Sequence, residues 1–154
     1  MTNSRTDGDG LLVIGYGNSL RGDDGMGPSA AKLLRVGGID ALDVYQLTPE
    51  LAERIAGARV VFFLDADAGL APGEIAAEKL QDAASGAVPM EHCANPADLL
   101  RLAREVYGTS PEAWLMAMGG ADFELGDSLS DAGKRAVSKA VAEVRRRAPL
   151  LGPR

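Results

Sequence analysis

The chain has 154 residues, of which 46% are hydrophobic and 25% charged, and it carries a formal net charge of −6 at pH 7. This composition is typical of one globular domain and excludes a largely disordered chain. The acidic balance argues against nucleic acid or an anionic membrane surface as main partner, because both bind basic surfaces. The apolar runs are far shorter than the roughly 20 residues that span a bilayer. We therefore expect neither nucleic-acid binding nor membrane insertion.

The N-terminal stretch and the cysteine content both indicate a reducing compartment. Residues 1–10 are polar and lack the apolar run of a secretory signal. Cys93 is the only cysteine, which excludes an internal disulfide and a Cys₄ zinc site. Any metal ligands would therefore be nitrogen and oxygen atoms. We expect a cytoplasmic protein with a flexible tail over residues 1–9 and a single domain over residues 10–150.

Strand patterns and helix patterns alternate along the chain. The predicted strands are Leu11–Tyr16, Leu42–Leu47, Arg59–Leu64 and Ala113–Met118. The predicted helices are Met26–Val36, Pro49–Ala56 with Thr48 as N-cap, Pro96–Tyr107, and Asp131–Arg147 capped by Ser130. Between the third strand and the third helix we expect an extended segment over Glu74–Leu80 and then a loop to about Ala94.

This alternation predicts βαβ units in a single-domain, three-layer α/β/α fold with a mainly parallel twisted sheet of about five strands. In open sheets of this kind, ligands bind beyond the carboxyl ends of the strands. Acids and glycines cluster at those positions, including the double glycine Gly119-Gly120 after the last strand. The strand ends are therefore where we expect a functional site.

The glycine-rich segment between the first strand and the first helix ends in the acidic pair Asp23-Asp24. It does not fit a dinucleotide fingerprint, which needs glycine where Leu20 stands, and it lacks the Lys-Ser/Thr pair of a Walker loop. A tight strand-to-helix turn accounts for the glycines. The two acids have two interpretations, as capping residues at the positive end of the helix or as functional groups.

Two further candidates follow the later strands. Asp65 directly ends an apolar strand, which favours it over Asp67, and His92 is the only histidine, in the predicted loop before a helix. If these loops meet at one sheet edge, Asp24, Asp65 and His92 supply two carboxylates and an imidazole, a ligand set suited to zinc, nickel or iron. Cys93 could add a thiolate, but its favoured interpretation is a small buried apolar residue.

The ordered set of motifs resembles the hydrogenase maturation proteases, the endopeptidases that trim the large subunits of nickel-iron hydrogenases. The resemblance spans most of the chain. It rests on Gly15-x-Gly17-Asn18-x-Leu20-x-x-Asp23-Asp24-Gly25-x-Gly27, on Leu47-Thr48-Pro49-Glu50-Leu51, on the apolar strand that ends in Asp65-Ala66, on the His92 loop with Asn95-Pro96-Ala97-Asp98-Leu99-Leu100, and on Phe123-Glu124-Leu125-Gly126 with Leu129-Ser130.

The resemblance implies that Asp24, Asp65 and His92 are metal ligands and that Asp24 and Asp65 are catalytic carboxylates. It implies a metal-dependent endopeptidase of the aspartic type, which removes a C-terminal peptide from the nickel-loaded precursor of a nickel-iron hydrogenase large subunit. The nickel would be presented by the substrate, and zinc or cadmium would substitute in vitro. Asp24 occupies a position that is Glu or Asp in such proteins, and the residues around His92 depart from the usual pattern.

Two other classes of function stay open at this point. A noncatalytic chaperone or binding module would recognise the metal-loaded partner without cutting it. A receiver-like signalling domain has a similar fold with acids after its first and third strands. Its acid pair would not lie in a glycine loop, however, and it would carry a lysine where Gly119-Gly120 stands. The sequence also does not decide which of Asp24 and Asp65 would be the general base.

Overall fold

A computed structural model describes residues 10–81 and 95–150. In this part of the chain the strands are β1 (Leu11–Tyr16), β2 (Ala41–Val44), β3 (Val60–Ala66), β4 (Ile75–Lys79) and β5 (Glu112–Met118). The helices are α1 (Met26–Val36), α2 (Leu51–Ala56), α3 (Pro96–Tyr107) and α4 (Asp131–Arg147), with short 3₁₀ turns at Gly22–Gly25 and Ala148–Leu150.

The strands form one sheet in the order β2-β1-β3-β5-β4. β2, β1, β3 and β5 are parallel, and β4 runs antiparallel to β5. β4 follows β3 through a short connection over residues 67–74 that contains no helix in the structure, whereas a parallel neighbour needs a longer crossover. The predicted fold class, a mainly parallel sheet of about five strands, is confirmed, and four carboxyl strand ends share one edge.

Both faces of the sheet are covered because the strand residues are apolar on both sides. Phe62 packs with α1 and α4 on one face, and the adjacent Phe63 packs with α2 and α3 on the other; neither ring is exposed. α4 buries apolar residues that recur every three to four positions, which are Ala136, Val137, Ala140, Val141 and Val144. The two layers of helices cover the faces of the sheet, and a site is expected past the carboxyl ends of the strands.

Element boundaries differ from prediction where strand pairing decides them. β2 ends at Val44, three residues early, because its neighbour β1 ends at Tyr16, the residue that pairs with Val44. β3 continues two residues beyond Leu64, because β5 supplies pairing partners as far as Ala66. An edge strand has one neighbour to pair with, so the length of that neighbour limits it.

The start of α2 also differs. Thr48 is not its N-cap: the backbone oxygen of Thr48 accepts a hydrogen bond from the Leu51 N–H (3.1 Å) in a preceding turn, and the helix begins at Leu51. The predicted cap of α4 is present, with the Ser130 hydroxyl accepting from the Gly133 N–H, and the Asn95 side chain caps α3 by accepting from the Asp98 N–H, each at 2.9 Å. No helix within residues 10–81 and 95–150 is long and apolar enough to cross a membrane. The predicted tail, residues 1–9, lies outside the described residues.

Candidate active site

The glycine-rich segment after β1 folds back against the sheet edge before α1 begins. Gly27, in the first turn of α1, lies so close to the sheet that a Cβ there would come within 2.5 Å of the Leu64 carbonyl oxygen and 2.6 Å of the Tyr16 carbonyl oxygen. Gly17 has a φ of +148°, and its α-carbon packs against the carbonyl oxygen of Asp24. Glycine at these positions lets the 3₁₀ turn that carries Asp23 and Asp24 sit directly beside the ends of β1 and β3.

Asp24 lies half-buried in this turn and is held from the opposite side of the loop. Its Oδ2 accepts a hydrogen bond from the Asn18 backbone N–H at 2.7 Å. Its own N–H donates to the Arg21 carbonyl at 3.1 Å. Both the backbone and the carboxylate of Asp24 are therefore anchored within the loop.

Asp65 occupies the next-to-last position of β3 and is also half-buried. Burial raises the pKa of its carboxyl to about 6; the negative charges of Asp24 and Asp67 add to this rise. Hydrogen bonds from the Tyr16 hydroxyl and the Ala66 N–H oppose the rise, because they favour the ionised form. Burial also raises the pKa of Tyr16, and the charge of Asp65 and its hydrogen bond raise it further. Tyr16 therefore stays protonated as the donor to Asp65.

The structure brings Asp24 and Asp65 together. The turn over Gly22–Gly25 contacts β3, and the charge of Asp24 acts on the carboxyl of Asp65. Asp67, by contrast, is exposed, and its Oδ1 accepts from the Gly69 N–H at 2.8 Å in a local turn. Because the charge of Asp24 disfavours ionisation of Asp65, a cation beside the two carboxylates would be favoured, and their oxygen atoms suit a borderline metal.

Asp23 is directed to a different part of the fold and is fully buried. Its Oδ1 accepts from the Ser130 N–H (2.8 Å), and its Oδ2 accepts from the Ala121 N–H (2.7 Å), the Asp122 N–H (3.1 Å) and the Ser130 hydroxyl (2.6 Å). Burial alone would raise the pKa of Asp23, but these hydrogen bonds outweigh it and lower the pKa. The capping interpretation is wrong for both acids, because neither side chain accepts a hydrogen bond from the first turn of α1. Asp23 instead anchors the connection between β5 and α4, and a functional role for Asp24 stays a prediction.

The third predicted ligand, His92, and its neighbour Cys93 lie outside the described residues. Within residues 10–81 and 95–150, no three His, Cys, Asp or Glu side chains form a group that could hold a metal ion. The described part of the predicted ligand set is thus the carboxylate pair, and the roles of Asp24, Asp65 and His92 as ligands stay predictions.

An apolar depression of about 230 Å³ adjoins the loop that holds Asp24. Gly17 and Asn18 form part of its wall, and Leu20 and Tyr45, at 64% and 66% exposure, flank it. Exposed apolar side chains of this size can contact an extended peptide segment.

The sequence matches no protein-family model and no curated protein. Among solved structures, the chain is similar to the [NiFe] hydrogenase maturation protease HybD from Thermococcus kodakarensis, with 26% identity, a TM-score of 0.71, and coverage of 90% of this chain and 98% of that one. A hydrogenase 2 maturation peptidase from Thaumarchaeota archaeon SCGC_AB-539-E09 is 25% identical with a TM-score of 0.68, covering 91% of this chain and 98% of that one.

The hydrogenase maturating endopeptidase HybD from E. coli shares the fold at 20% identity, with a TM-score of 0.69 and coverage of 88% of this chain and 92% of that one. The similarities extend over nearly the whole length of each structure, as the sequence motifs do in this chain. The predicted resemblance of the chain to the hydrogenase maturation proteases is therefore confirmed.

Proposed function

We propose that this protein is an endopeptidase that removes a C-terminal peptide from the nickel-loaded precursor of a nickel-iron hydrogenase large subunit. The observation that carries the proposal is the pairing of Asp24 with Asp65 at the carboxyl edge of the sheet. The similarity to proteins described as hydrogenase maturation proteases supports the reaction class. The large-subunit precursor, the nickel and a cytoplasmic location belong to the proposal.

The two carboxylates have complementary chemical properties. Asp65, with a pKa of about 6, is mostly ionised at neutral pH yet basic enough to take a proton from an attacking water. Tyr16 orients that carboxylate through its hydroxyl. Asp24 lies in the adjacent turn at the carboxyl edge of the sheet and would add a second negative oxygen ligand. These properties support Asp65 as the general base and a metal-contacting role for Asp24.

The nickel in this proposal is part of the substrate. Carboxylate oxygen and imidazole nitrogen ligands can complete the coordination of a metal that the precursor's thiolates already hold, without extracting it. Such a metal would polarise the scissile carbonyl as a Lewis acid. His92 is proposed as the nitrogen ligand on the basis of the family resemblance, and the apolar depression flanked by Leu20 and Tyr45 as the surface that contacts the peptide.

The hydrogen bonds of Asp23 argue against a receiver-like signalling domain. A receiver uses its acid pair jointly beside the phosphorylated aspartate, whereas both oxygens of Asp23 are occupied by hydrogen bonds to Ala121, Asp122 and Ser130. A noncatalytic binding module shares the same surface as the proposed protease. An assay for peptide release separates these two functions.

The test is the intact mass of a nickel-loaded precursor after incubation with the protein, with nickel-free precursor as control. We expect loss of one discrete C-terminal peptide only from the loaded form. Asp24→Asn, Asp65→Asn and His92→Ala should each slow release by at least ~100-fold. Asp67→Asn is the matched control, because this exposed acid lies two residues from Asp65. Loss of its charge should lower the pKa of Asp65 only slightly, so Asp65 stays ionised at neutral pH and cleavage should be nearly unchanged.

Each alternative outcome has a distinct meaning. A stable complex with loaded precursor and no change in mass would identify a binding module. Cleavage that survives loss of both carboxylates would remove the proposed site. Cleavage of nickel-free precursor at the same rate would remove nickel from the proposal.

A further inference from the structure

We propose that Asp23 is a positioning residue: by tying the 3₁₀ turn to the connection between β5 and α4, its buried carboxylate holds the neighbouring Asp24 in place beside Asp65. The consequence for catalysis rests on the proposed function. The positioning itself is a property of the free protein and can be tested without substrate.

Hydrogen bonds attach the Asp23 carboxylate to the β5–α4 connection, and the cap residue of α4 takes part in them. Its carboxylate accepts four hydrogen bonds, two of them from Ser130. The Ser130 hydroxyl in turn accepts from the Gly133 N–H at 2.9 Å, so the hydroxyl proton points to Asp23. The start of a long helix is thereby connected to the turn that carries the site.

Backbone hydrogen bonds reinforce the same attachment on the approach to Asp24. The Gly22 N–H donates to the Gly126 carbonyl (2.8 Å), and the Gly126 N–H donates to the Leu20 carbonyl (2.9 Å). The Asp23 N–H donates to the Asp122 carbonyl at 2.7 Å. These backbone bonds reach as far as Asp23, the residue directly before Asp24. The carboxylate of Asp24 itself accepts a hydrogen bond from the Asn18 N–H.

The geometry of the turn links the two acids. Consecutive residues of a 3₁₀ helix point about 120° apart, so neighbouring side chains can serve opposite surfaces while their backbones move as one unit. With Asp23 fixed to the β5–α4 connection, the backbone at Asp24 has one orientation. The Asn18 N–H then meets the Asp24 carboxylate at 2.7 Å.

Two glycines that carry no side chain make room for Asp23. A Cβ on Gly120 would lie 2.6 Å from the Asp23 Cβ, and a Cβ on Gly133 would collide with its carboxylate. Asn has the same shape as Asp but replaces one acceptor oxygen by an NH₂ group. All groups around the Asp23 carboxylate are donors, so Asp23→Asn sets a donor against a donor without changing volume.

The test is the amide NMR spectrum of the free protein, in which the Asn18 N–H reports on the Asp24 carboxylate. Asp24→Asn gives the reference position of this signal when the charged acceptor is lost. In Asp23→Asn we expect the Ala121 and Ser130 amides to shift, and the Asn18 amide to shift towards its position in Asp24→Asn. An unmoved Asn18 amide alongside shifted Ala121 and Ser130 amides would overturn the proposal, because Asp23 would then anchor only the loop.

Asp40→Asn is the matched control for general loss of stability. The Asp40 side chain is 8% exposed and pairs with Arg54 at 2.7 Å, just before β2 and thus at the opposite edge of the sheet. We expect this variant to unfold at a lower temperature without moving the Asn18 amide. If it moves the Asn18 signal as far as Asp23→Asn does, the signal reports stability and the proposal fails.

Kinetics with loaded precursor supply a second readout. We expect Asp23→Asn to lower kcat by about 10- to 100-fold with little change in KM, because a displaced carboxylate harms the chemical step more than binding. An unchanged kcat in a wild-type enzyme that cleaves would overturn the catalytic consequence. If the wild type does not cleave but the Asn18 amide moves as expected, the proposed function fails and the positioning stands.

Ser130→Ala keeps the test decisive if Asp23→Asn does not fold. It removes one of the four donors to Asp23 and leaves the carboxylate in place. We expect a smaller displacement of the Asn18 amide in the same direction. No displacement in a folded Ser130→Ala protein, with the Ala121 amide shifted, would count against the positioning role.

Discussion

Tyr16 donates a hydrogen bond from its hydroxyl to the carboxylate of Asp65. Strand register explains the contact: Gly15 of β1 pairs with Leu64 of β3, and Tyr16 and Asp65 are the next residues of these neighbouring parallel strands. Corresponding residues of parallel neighbours lie on the same face. The contact between Tyr16 and Asp65 is therefore set by the same strand pairing that builds the core.

The first prediction concerns the pH dependence of stability. The pKa of Asp65 is about 6 in the folded protein, above the ~3.9 of an unfolded chain. A carboxyl whose pKa is raised by folding stabilises the fold while it is protonated, and this contribution is lost as pH rises from ~4 to ~6. We expect the free energy of unfolding of the wild type, measured with urea, to decrease over this pH range. In Asp65→Asn this contribution to the decrease should be absent.

Asp67→Asn is the control for this experiment, since Asp67 is exposed and close in sequence. Its charge is the smallest of the causes that shift the pKa of Asp65, so we expect the loss of stability with rising pH to persist in this variant, slightly reduced. The relevant quantity is the difference between each variant and the wild type across the pH range, because other carboxyls titrate in the same range. Equal pH profiles for the wild type and Asp65→Asn would contradict the raised pKa.

The second prediction is for Tyr16→Phe, which removes the hydrogen bond and keeps the ring. The bond favours ionised Asp65, so its loss should raise the pKa of Asp65 further above the ordinary aspartate value. If Asp65 is the general base, the acid limb of the kcat profile should move to higher pH with it. Carboxyl ¹³C NMR titration measures the pKa directly, and Tyr107→Phe, at an exposed tyrosine at the end of α3, is the control. A lower pKa of Asp65 in Tyr16→Phe would refute the assigned role of the hydroxyl.

The fold was predictable from the sequence because its strands and helices are specified by residues close together in the chain. The two phenylalanines of β3 lie within a continuous apolar run, which is typical of a strand buried on both faces. Asn95 and Ser130 stand where helix patterns begin, and each caps its helix through a residue three positions on. From the parallel sheet it follows that Asp24 and Asp65 share an edge.

The role of Asp23 was not predictable in the same way. Its hydrogen-bond partners lie 98 to 107 residues away in the chain, and no short-range spacing links them. The early end of β2 likewise depends on the length of β1, a neighbour in space. One signal in the sequence was available: Gly120, Ser130 and Gly133 are small residues, and small residues are what a buried carboxylate between two segments requires.

The third prediction concerns the coupling between Asp23 and Ser130. Each single substitution, Asp23→Asn or Ser130→Ala, should lower the free energy of unfolding by about 1–3 kcal/mol, since each leaves buried polar groups without their partners or removes a helix cap. The double variant should cost less than the sum, because both changes break the same hydrogen bond. Urea unfolding of the four proteins measures the coupling.

Asp122→Asn, at an exposed acid in the same loop, is the control and should change the free energy of unfolding by less than about 0.5 kcal/mol. Strict additivity would show that the bond contributes nothing.

The fourth prediction concerns Gly27, where α1 meets the sheet. In Gly27→Ala the new methyl group would meet the backbone carbonyl oxygens of Leu64 and Tyr16 at 2.5 and 2.6 Å, so the helix must move away from β1 and β3. We expect a loss of about 1–3 kcal/mol in the free energy of unfolding, as for other overpacked positions. Because α1 continues the turn that carries Asp24, the same displacement should reduce peptide release more than the loss of stability alone explains.

Gly57→Ala is the matched control, since a methyl group there meets its nearest neighbour at an ordinary 3.7 Å. If Gly27→Ala matches Gly57→Ala in both stability and activity, close packing of α1 on the strand ends does not hold the site together.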